Sequence, residues 1–353
     1  MRVGDSARAL HSKRSSMKRY FAAILATLAA VGWEAGVSPL RANDSSAELA
    51  VGGLVFIKNS DVSIESEDLT ITPDNVTVRY VFLNQSASPV TLTVAFPLPD
   101  IDLADGANVA FPTSDPVNFV GFSTKIDGKP ISFTINQRAT LDGKDVTATL
   151  RGLGIAPLPV GASQLKISEL PQPTRDRAVT AGLLQQSGTN DKGEPLYDPT
   201  WTLKTSVVRQ QTFPPGKPVS VEHRYRTSVG ISFDSVLRAG LRQNKALDSE
   251  VQRYKTNYCI LDDFLKSVDK LAGSDEANKA KIMERRISYV LKTGANWAGP
   301  IKDFHLVVDK GQPDRIVSFC GDGVKKISPT AFELRARDFT PTRDLNIIMV
   351  GRR

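Results

Sequence analysis

From Leu49 onwards the apolar positions recur with a period of two. Val76, Val78, Tyr80 and Phe82 alternate with Thr77, Arg79 and Val81; residues 84–89 interrupt the run, and Val90, Leu92, Val94 and Phe96 resume it. Successive side chains of a strand point to opposite faces, so this alternation marks half-buried strands, and the short interruption predicts an antiparallel pair. Pro97 and Pro99 end the second strand, because proline has no N–H to give a ladder. After a loop rich in Pro, Asp and Gly, residues 119–126 and 129–137 flank Asp127-Gly128, a pair suited to the positive φ of a type I′ hairpin turn. Residues 201–211 and 219–228 predict a further hairpin around Phe213-Pro214-Pro215-Gly216-Lys217.

The period changes in two places. Between about 139 and 200 the alternation lapses: Asp145 is placed to cap a short helix over 146–151, Thr174 another over 175–185, and Gly188 and Pro195 mark loops. From about Asn257 a 3.6-residue stripe of Leu261, Phe264, Leu265, Val268 and Leu271 predicts a helix that ends at Gly273. Asp262 and Asp263 fall in its first turn, where they complement the helix dipole. Ser274 is placed to cap a second helix, rich in Ala, Lys and Glu, through Arg285. Residues 287–291 fit a continuation of that helix or a strand, and their β-branched and aromatic content favours the strand. Strands then follow over 301–309, 315–320, 324–327, 331–337 and 344–350. The whole pattern predicts a mainly β protein of two antiparallel β-sandwich-like domains with short helical insertions. The first domain covers 43–230, with its insertion at about 139–200. The second covers 231–353, a helical segment followed by a C-terminal sandwich.

Residues 1–42 read as a signal peptide. Met17-Lys18-Arg19 precedes about a dozen apolar residues, too few for a permanent span of roughly 20. Ala42 before Asn43-Asp44-Ser45-Ser46 marks cleavage after Ala42, and residues 1–16 read as lying upstream of the true start at Met17. Removing the leader changes the charge. It holds seven of the 45 Lys and Arg and two of the 38 Asp and Glu, so the mature 311 residues carry 38 against 36. The formal net charge of +7 for the whole chain is therefore mostly the leader's and points to no nucleic acid. An exported chain with two cysteines, Cys259 and Cys320, predicts a disulfide between them, tying the helix start to a core strand. Two buried thiols are the alternative, and for Cys259 a reactive thiol at a helix N-terminus.

Candidate chemistry is sparse. After the leader two histidines remain, His223 and His305. Alternation puts His223 with Val219, Val221 and Tyr225, as a hydrogen-bonded core histidine or as a base. Asp303 and His305 share a strand face with Val307, as a partly buried polar pair or as groups serving a base or a metal. Neither His-x-x-x-His nor Cys-x-x-Cys spacing occurs, and no Gly-x-Ser-x-Gly elbow, so no metal or cofactor is expected.

Several motifs together resemble a bacterial secreted family known as domain of unknown function 4424. They are residues 43–54, Phe96-Pro97-Leu98-Pro99-Asp100, Phe213-Pro214-Pro215-Gly216, His223-Arg224-Tyr225, Tyr258-Cys259, residues 294–301 around Trp297, and Phe339-Thr340-Pro341. Thr227 departs from the pattern, which has Pro there. The resemblance implies export and a β-rich fold, and it implies no reaction and no catalytic residue. The expectation is an exported, periplasmic or secreted, non-catalytic binding or structural module. Its partner would be an envelope protein, a glycan or a small ligand, and the mature chain has no stable membrane span. A hydrolase with a dispersed Asp, Glu and His site is the alternative, with His305, Asp303 and His223 as its candidates.

Overall fold

The computed structural model describes residues 45–50, 53–104, 109–159, 167, 169–273 and 282–353. The leader, its cleavage after Ala42 and the helix start at Ser274 lie outside the described residues. The first strands are β1 (Ser45–Ala50), β2 (Gly53–Phe56), β3 (Val62–Ile71), β4 (Asn75–Asn84), β5 (Val90–Pro97), β6 (Ile101–Asp102) and β7 (Val109–Ala110). Then come β8 (Ser123–Ile126), β9 (Lys129–Pro130), β10 (Thr134–Leu141), β11 (Lys144–Asp145), helices α1 (Thr147–Gly152) and α2 (Gln172–Thr180), β12 (Leu184–Thr189) and β13 (Pro195–Pro199). Strands β14 (Thr202–Phe213), β15 (Pro218–Arg226) and β16 (Val229–Ser232) lead to helices α3 (Ala239–Arg242), α4 (Asp248–Tyr258) and α5 (Asp262–Ala272). The described chain closes with β17 (Ile282–Tyr289), β18 (Ile301–Asp309), β19 (Ile316–Phe319), β20 (Lys325–Lys326), β21 (Ala331–Phe339) and β22 (Leu345–Arg352).

The protein is mainly β. A sheet ordered β11-β10-β14-β5-β1-β2, with β6 beside β14, faces an eight-stranded sheet ordered β20-β21-β18-β3-β4-β15-β8-β9. A third sheet is ordered β19-β22-β17-β16-β7, and β12 and β13 pair alone. Phe96 of β5 packs on His223 of β15 at 5.0 Å between ring centroids and on Phe122 at 5.4 Å, and Phe82 packs on Trp297 at 4.7 Å. The third sheet joins this core through Tyr289, whose hydroxyl lies 3.0 Å from that of Tyr80. The two sandwich-like units expected on either side of residue 230 share their central sheet, which takes β3, β4, β8, β9 and β15 from before it and β18, β20 and β21 from after it. The join is β3 against β18, the one parallel pair among the described strands.

Two expected hairpins are sandwich corners instead. β4 and β5 flank the break at 84–89, yet β4 pairs with β3 and β15 while β5 pairs with β14 and β1. Likewise β14 and β15 lie in opposite sheets. The corners are built against each other: Asn84, fully buried, donates through Nδ2 to the carbonyls of Ser88 (2.8 Å) and Phe213 (2.9 Å), and its own carbonyl accepts from Gly216 N–H at 2.9 Å. The Asp127-Gly128 turn forms as expected, with φ of 49° and 77°, but the hairpin is short: β8 pairs with β9 only to Pro130, and residues 134–137, expected in its second strand, belong to β10 beside β14 in the other sheet.

The insertion holds α1, on whose first residue Asp145 Oδ1 accepts the Thr147 N–H at 2.9 Å. The second helix starts at Gln172 and stops at Thr180, not Gln185, because Gly182 turns the chain at φ 70° and Leu184 enters β12. The helix expected from Asn257 is two helices. α4 ends where Cys259 adopts a left-handed φ of 50°, and α5 starts at Asp262, leaving Leu261 exposed. Residues 282–285, expected in a helix through Arg285, belong to strand β17. Cys259 and Cys320 form the expected disulfide, with Cα atoms 5.1 Å apart, but it ties the end of α4 to the residue after the edge strand β19, not a helix start to a core strand. Thr227 has a role that proline could not fill: its N–H donates to Asp74 O at 3.1 Å and its Oγ1 to Pro73 O at 2.5 Å.

Candidate functional site

Strand β17 is covered on both faces, so its side chains must suit two neighbours. Ile287 and Tyr289 turn to the main core, while Ile282 joins Ile348 and Val350 of β22 beneath Tyr254 and Tyr258 of α4 and Phe264 and Val268 of α5. Period two then sends Glu284 and Arg286 to the helix side as well. There they floor a cleft of about 760 Å³ between α4, the segment after β16, and the third sheet.

Glu284 is 1% exposed, and a carboxylate so buried requires donors. It has three: Oε1 accepts from Tyr254 Oη at 2.9 Å and from Arg286 Nη1 at 2.5 Å, and Oε2 accepts from Ser235 Oγ at 2.5 Å. Arg286 Nη1 also donates to Tyr254 Oη at 2.9 Å. Gly230 of β16 makes room for this guanidinium, since a Cβ there would lie 2.9 Å from Arg286 Nε and 3.0 Å from Nη2. Tyr254 and Tyr258, one helical turn apart, present their rings together at 5.4 Å, and Arg253 lies over the Tyr254 ring at 5.9 Å.

The electrostatics follow from burial beside charge. Burial, then the Glu284 carboxylate, push the Tyr254 hydroxyl far above the ordinary tyrosine range. Burial pushes Tyr258 up to about 12, with Arg286 and Arg253 opposing the shift and Glu284 adding to it. Burial works against the charge of Arg286, and Tyr254 and Glu284 outweigh it, so its pKa is raised. Both tyrosine hydroxyls therefore keep their protons and Arg286 its charge at neutral pH, so all three act as hydrogen-bond donors.

The acid–base candidates lie elsewhere. His223 is fully buried among Tyr80, Phe96 and Phe122. His305 and Asp303 are on the outer face of the eight-stranded sheet. Register lines up Arg335, His305, Asp68, Arg79, Glu222 and Lys125 on six neighbouring strands. His305 Nε2 is 2.9 Å from Glu333 Oε1 and Nδ1 is 3.3 Å from Asp68 Oδ1; further along, Arg79 Nε reaches Glu222 at 2.7 Å. His305 is thus one member of a cross-strand row of charges, an arrangement that stabilises sheets. The fold brings His305 and Asp303 to one face and leaves His223 on the other. Among the described residues no group of three or more His, Cys, Asp or Glu is placed to hold a metal ion, and no helix is long and apolar enough to cross a membrane.

None of Ser235, Tyr254, Glu284 and Arg286 stands out in the sequence. The signal that marks them is a pair of opposite charges at alternate positions of a strand that also buries Ile282, Ile287 and Tyr289.

No curated protein sequence matches the chain. Among solved structures it is similar to a candidate nutrient binding protein from Legionella pneumophila, at 14% identity and a TM-score of 0.41, covering 84% of this chain and 69% of that one. It is also similar to the M1 zinc metallopeptidase of Deinococcus radiodurans bound to a Tyr-Ser-Ala substrate, at 9% identity and a TM-score of 0.25. That match covers 84% of this chain and 44% of the peptidase, so the chain spans less than half the peptidase's length. The sequence profile of one family matches residues 42–348, and the chain belongs to it: Domain of unknown function (DUF4424).

Proposed function

We propose that the chain is an exported, non-catalytic binding protein that holds a small polar molecule in the cleft over Glu284 and Arg286. The observation that carries this reading is the cleft floor, where a fully buried carboxylate is satisfied by three donors at the base of an open space. Burying that charge costs desolvation, and the donors that offset it fix a tyrosine hydroxyl and a guanidinium in place before any ligand arrives. Preorganisation of this kind favours binding. The volume falls within the range of small-molecule sites, roughly 300–1,000 Å³. The disulfide supports a location outside the cytoplasm, as does the charged-then-apolar leader, which we place as cleaved after Ala42. A hydrolase would need its groups within hydrogen-bonding reach of one another, and His223 stands on the opposite face of the sheet from His305 and Asp303.

The test is native mass spectrometry of the mature protein isolated from periplasm, beside a Leu247→Trp variant whose indole fills the cleft. The wild type is expected to retain a small molecule that the folded variant lacks. A wild type that carries nothing, and whose melting temperature no member of a metabolite library raises, would end this reading.

A further inference from the structure

We infer that the ligand of this cleft bears a carboxylate, received by Arg286 and Arg253 beside the Tyr258 hydroxyl. This rests on the reading of the cleft as a binding site. Its basis is a count of what the cleft has left to offer once its internal bonds are made. Glu284 has both oxygens occupied, and Asp234 is held by Arg238 Nε at 2.7 and 2.9 Å. The donors are less fully used. Of the Arg286 nitrogens only Nη1 serves the internal network, and the side chain keeps 20% of its exposure. Arg253 is 63% exposed and meets Glu250 at 3.6 Å, a loose surface pair. Tyr258 lines the same cleft with its ring 5.4 Å from that of Tyr254, over which Arg253 lies at 5.9 Å and to whose hydroxyl Arg286 donates at 2.9 Å, so Tyr254 brings the three to one place. A guanidinium presents paired N–H donors that match a carboxylate or a phosphate.

Charge decides between those two. The lining carries Asp234, Glu250 and Glu284 against Arg253 and Arg286, so it is one unit negative. Glu284 lies 2.5 Å from Arg286, next to any anion seated there. A doubly charged phosphate ester would meet twice the repulsion of a singly charged carboxylate. A carboxylate therefore suits the donors at the least electrostatic cost, and the remaining acidic side chains suit a ligand whose other groups are neutral or cationic.

Matched pairs test this on the full mature chain by calorimetry: glucuronate against glucose, alanylalanine against its C-terminal amide, and glucose 6-phosphate as the phosphate arm. The carboxylate member of at least one pair is expected to bind about tenfold or more tightly than its neutral counterpart. Arg253→Gln, at an exposed position, is expected to remove most of that preference while keeping the wild-type melting curve. Gly230→Ala, which displaces Arg286, should remove the preference by a second route, with a lower melting temperature because the buried Glu284 loses a donor. Equal binding of both members, tighter binding of the phosphate ester, or a preference indifferent to Arg253→Gln and Gly230→Ala would overturn the inference and leave the cleft reading standing. If no probe binds and the native protein carries no small molecule, both fall.

Discussion

The side-chain amide of Asn84 donates to the carbonyl of Phe213, 129 residues further along the chain, at 2.9 Å. This one side chain also donates to Ser88 O and accepts from the Ser86 N–H and hydroxyl, so it closes its own corner of the sandwich while tying the other. Asn84→Ala leaves two carbonyls, an N–H and a hydroxyl with one partner fewer, the Phe213 carbonyl among them in a buried place. A loss of about 3 kcal/mol in chemical denaturation is expected. Asn84→Asp, which keeps the acceptor and buries a charge, should be no better. A loss under about 0.5 kcal/mol would show that the corners hold without this link.

The disulfide closes a loop of 61 residues that contains α5 and β17, and it begins at the residue after α4. Reduction, or Cys320→Ser, is expected to cost about 4 kcal/mol on the chain-entropy view. α4 carries Arg253, Tyr254 and Tyr258, so reduction should also weaken ligand binding before it unfolds the protein. Paired denaturation and binding curves with and without reductant check both effects. Thiols found free by non-reducing peptide mapping would remove the premise.

The histidines should separate by burial. His223→Ala removes a fully buried ring from among three aromatics and is expected to cost about 3 kcal/mol, lowering melting temperature and function together. His305→Ala leaves Glu333 paired with Arg335 at 3.0 Å and should change stability by less than about 1 kcal/mol. Loss of a cellular phenotype in His305→Ala or Asp303→Ala with an unchanged melting curve would restore the hydrolase alternative.

Acid should loosen the wall behind the cleft. Asp269 of α5 accepts Arg242 Nη1 at 2.9 Å, Arg242 Nη2 at 2.8 Å and the Ala239 N–H at 2.9 Å, tying α3 to α5. The Arg242 hydrogen bonds, opposed by partial desolvation, hold its pKa below the usual aspartate value. A carboxyl with a depressed folded-state pKa adds stability that is fully present above the unfolded value, about 3.9, and is lost as pH falls through the folded one. Melting temperature measured from pH 7 to pH 2.5 should therefore fall less steeply below about pH 4 in Asp269→Asn than in the wild type. Parallel profiles would refute the assignment.

Strands were more legible than partners. Alternation along 76–82, 301–309 and 331–337 follows from burial of one face, and the strands stand where it put them. Period two says which residues point inward and nothing about which sheet the strand joins. A break of a few residues serves a hairpin and a sandwich corner equally well, so β4 and β5, and β14 and β15, read as pairs. The cleft was illegible for a different reason. Ala, Lys and Glu before residue 282 favour a helix locally, and continuing it through Arg285 hid the inward pairing of Glu284 with Arg286. At residues 282–285 burial within β17 prevailed over that continuation. The disulfide was readable because only two cysteines were available to pair.

The parallel join of β3 to β18 sets a timetable for folding. Lys302 reaches Glu65 across this join at 2.8 Å, although the two are 237 positions apart along the chain. Until β18 has been made and delivered, β3 is the outermost strand of whatever sheet has already assembled, with a row of N–H and C=O groups open along one side. A contact of such separation is slow to form, and an open strand edge is a template for another copy. A chain that ends before residue 301 would keep that edge open for good. Truncated or stalled products should therefore aggregate, and the full chain gains from being held unfolded until β18 is there to cover the edge.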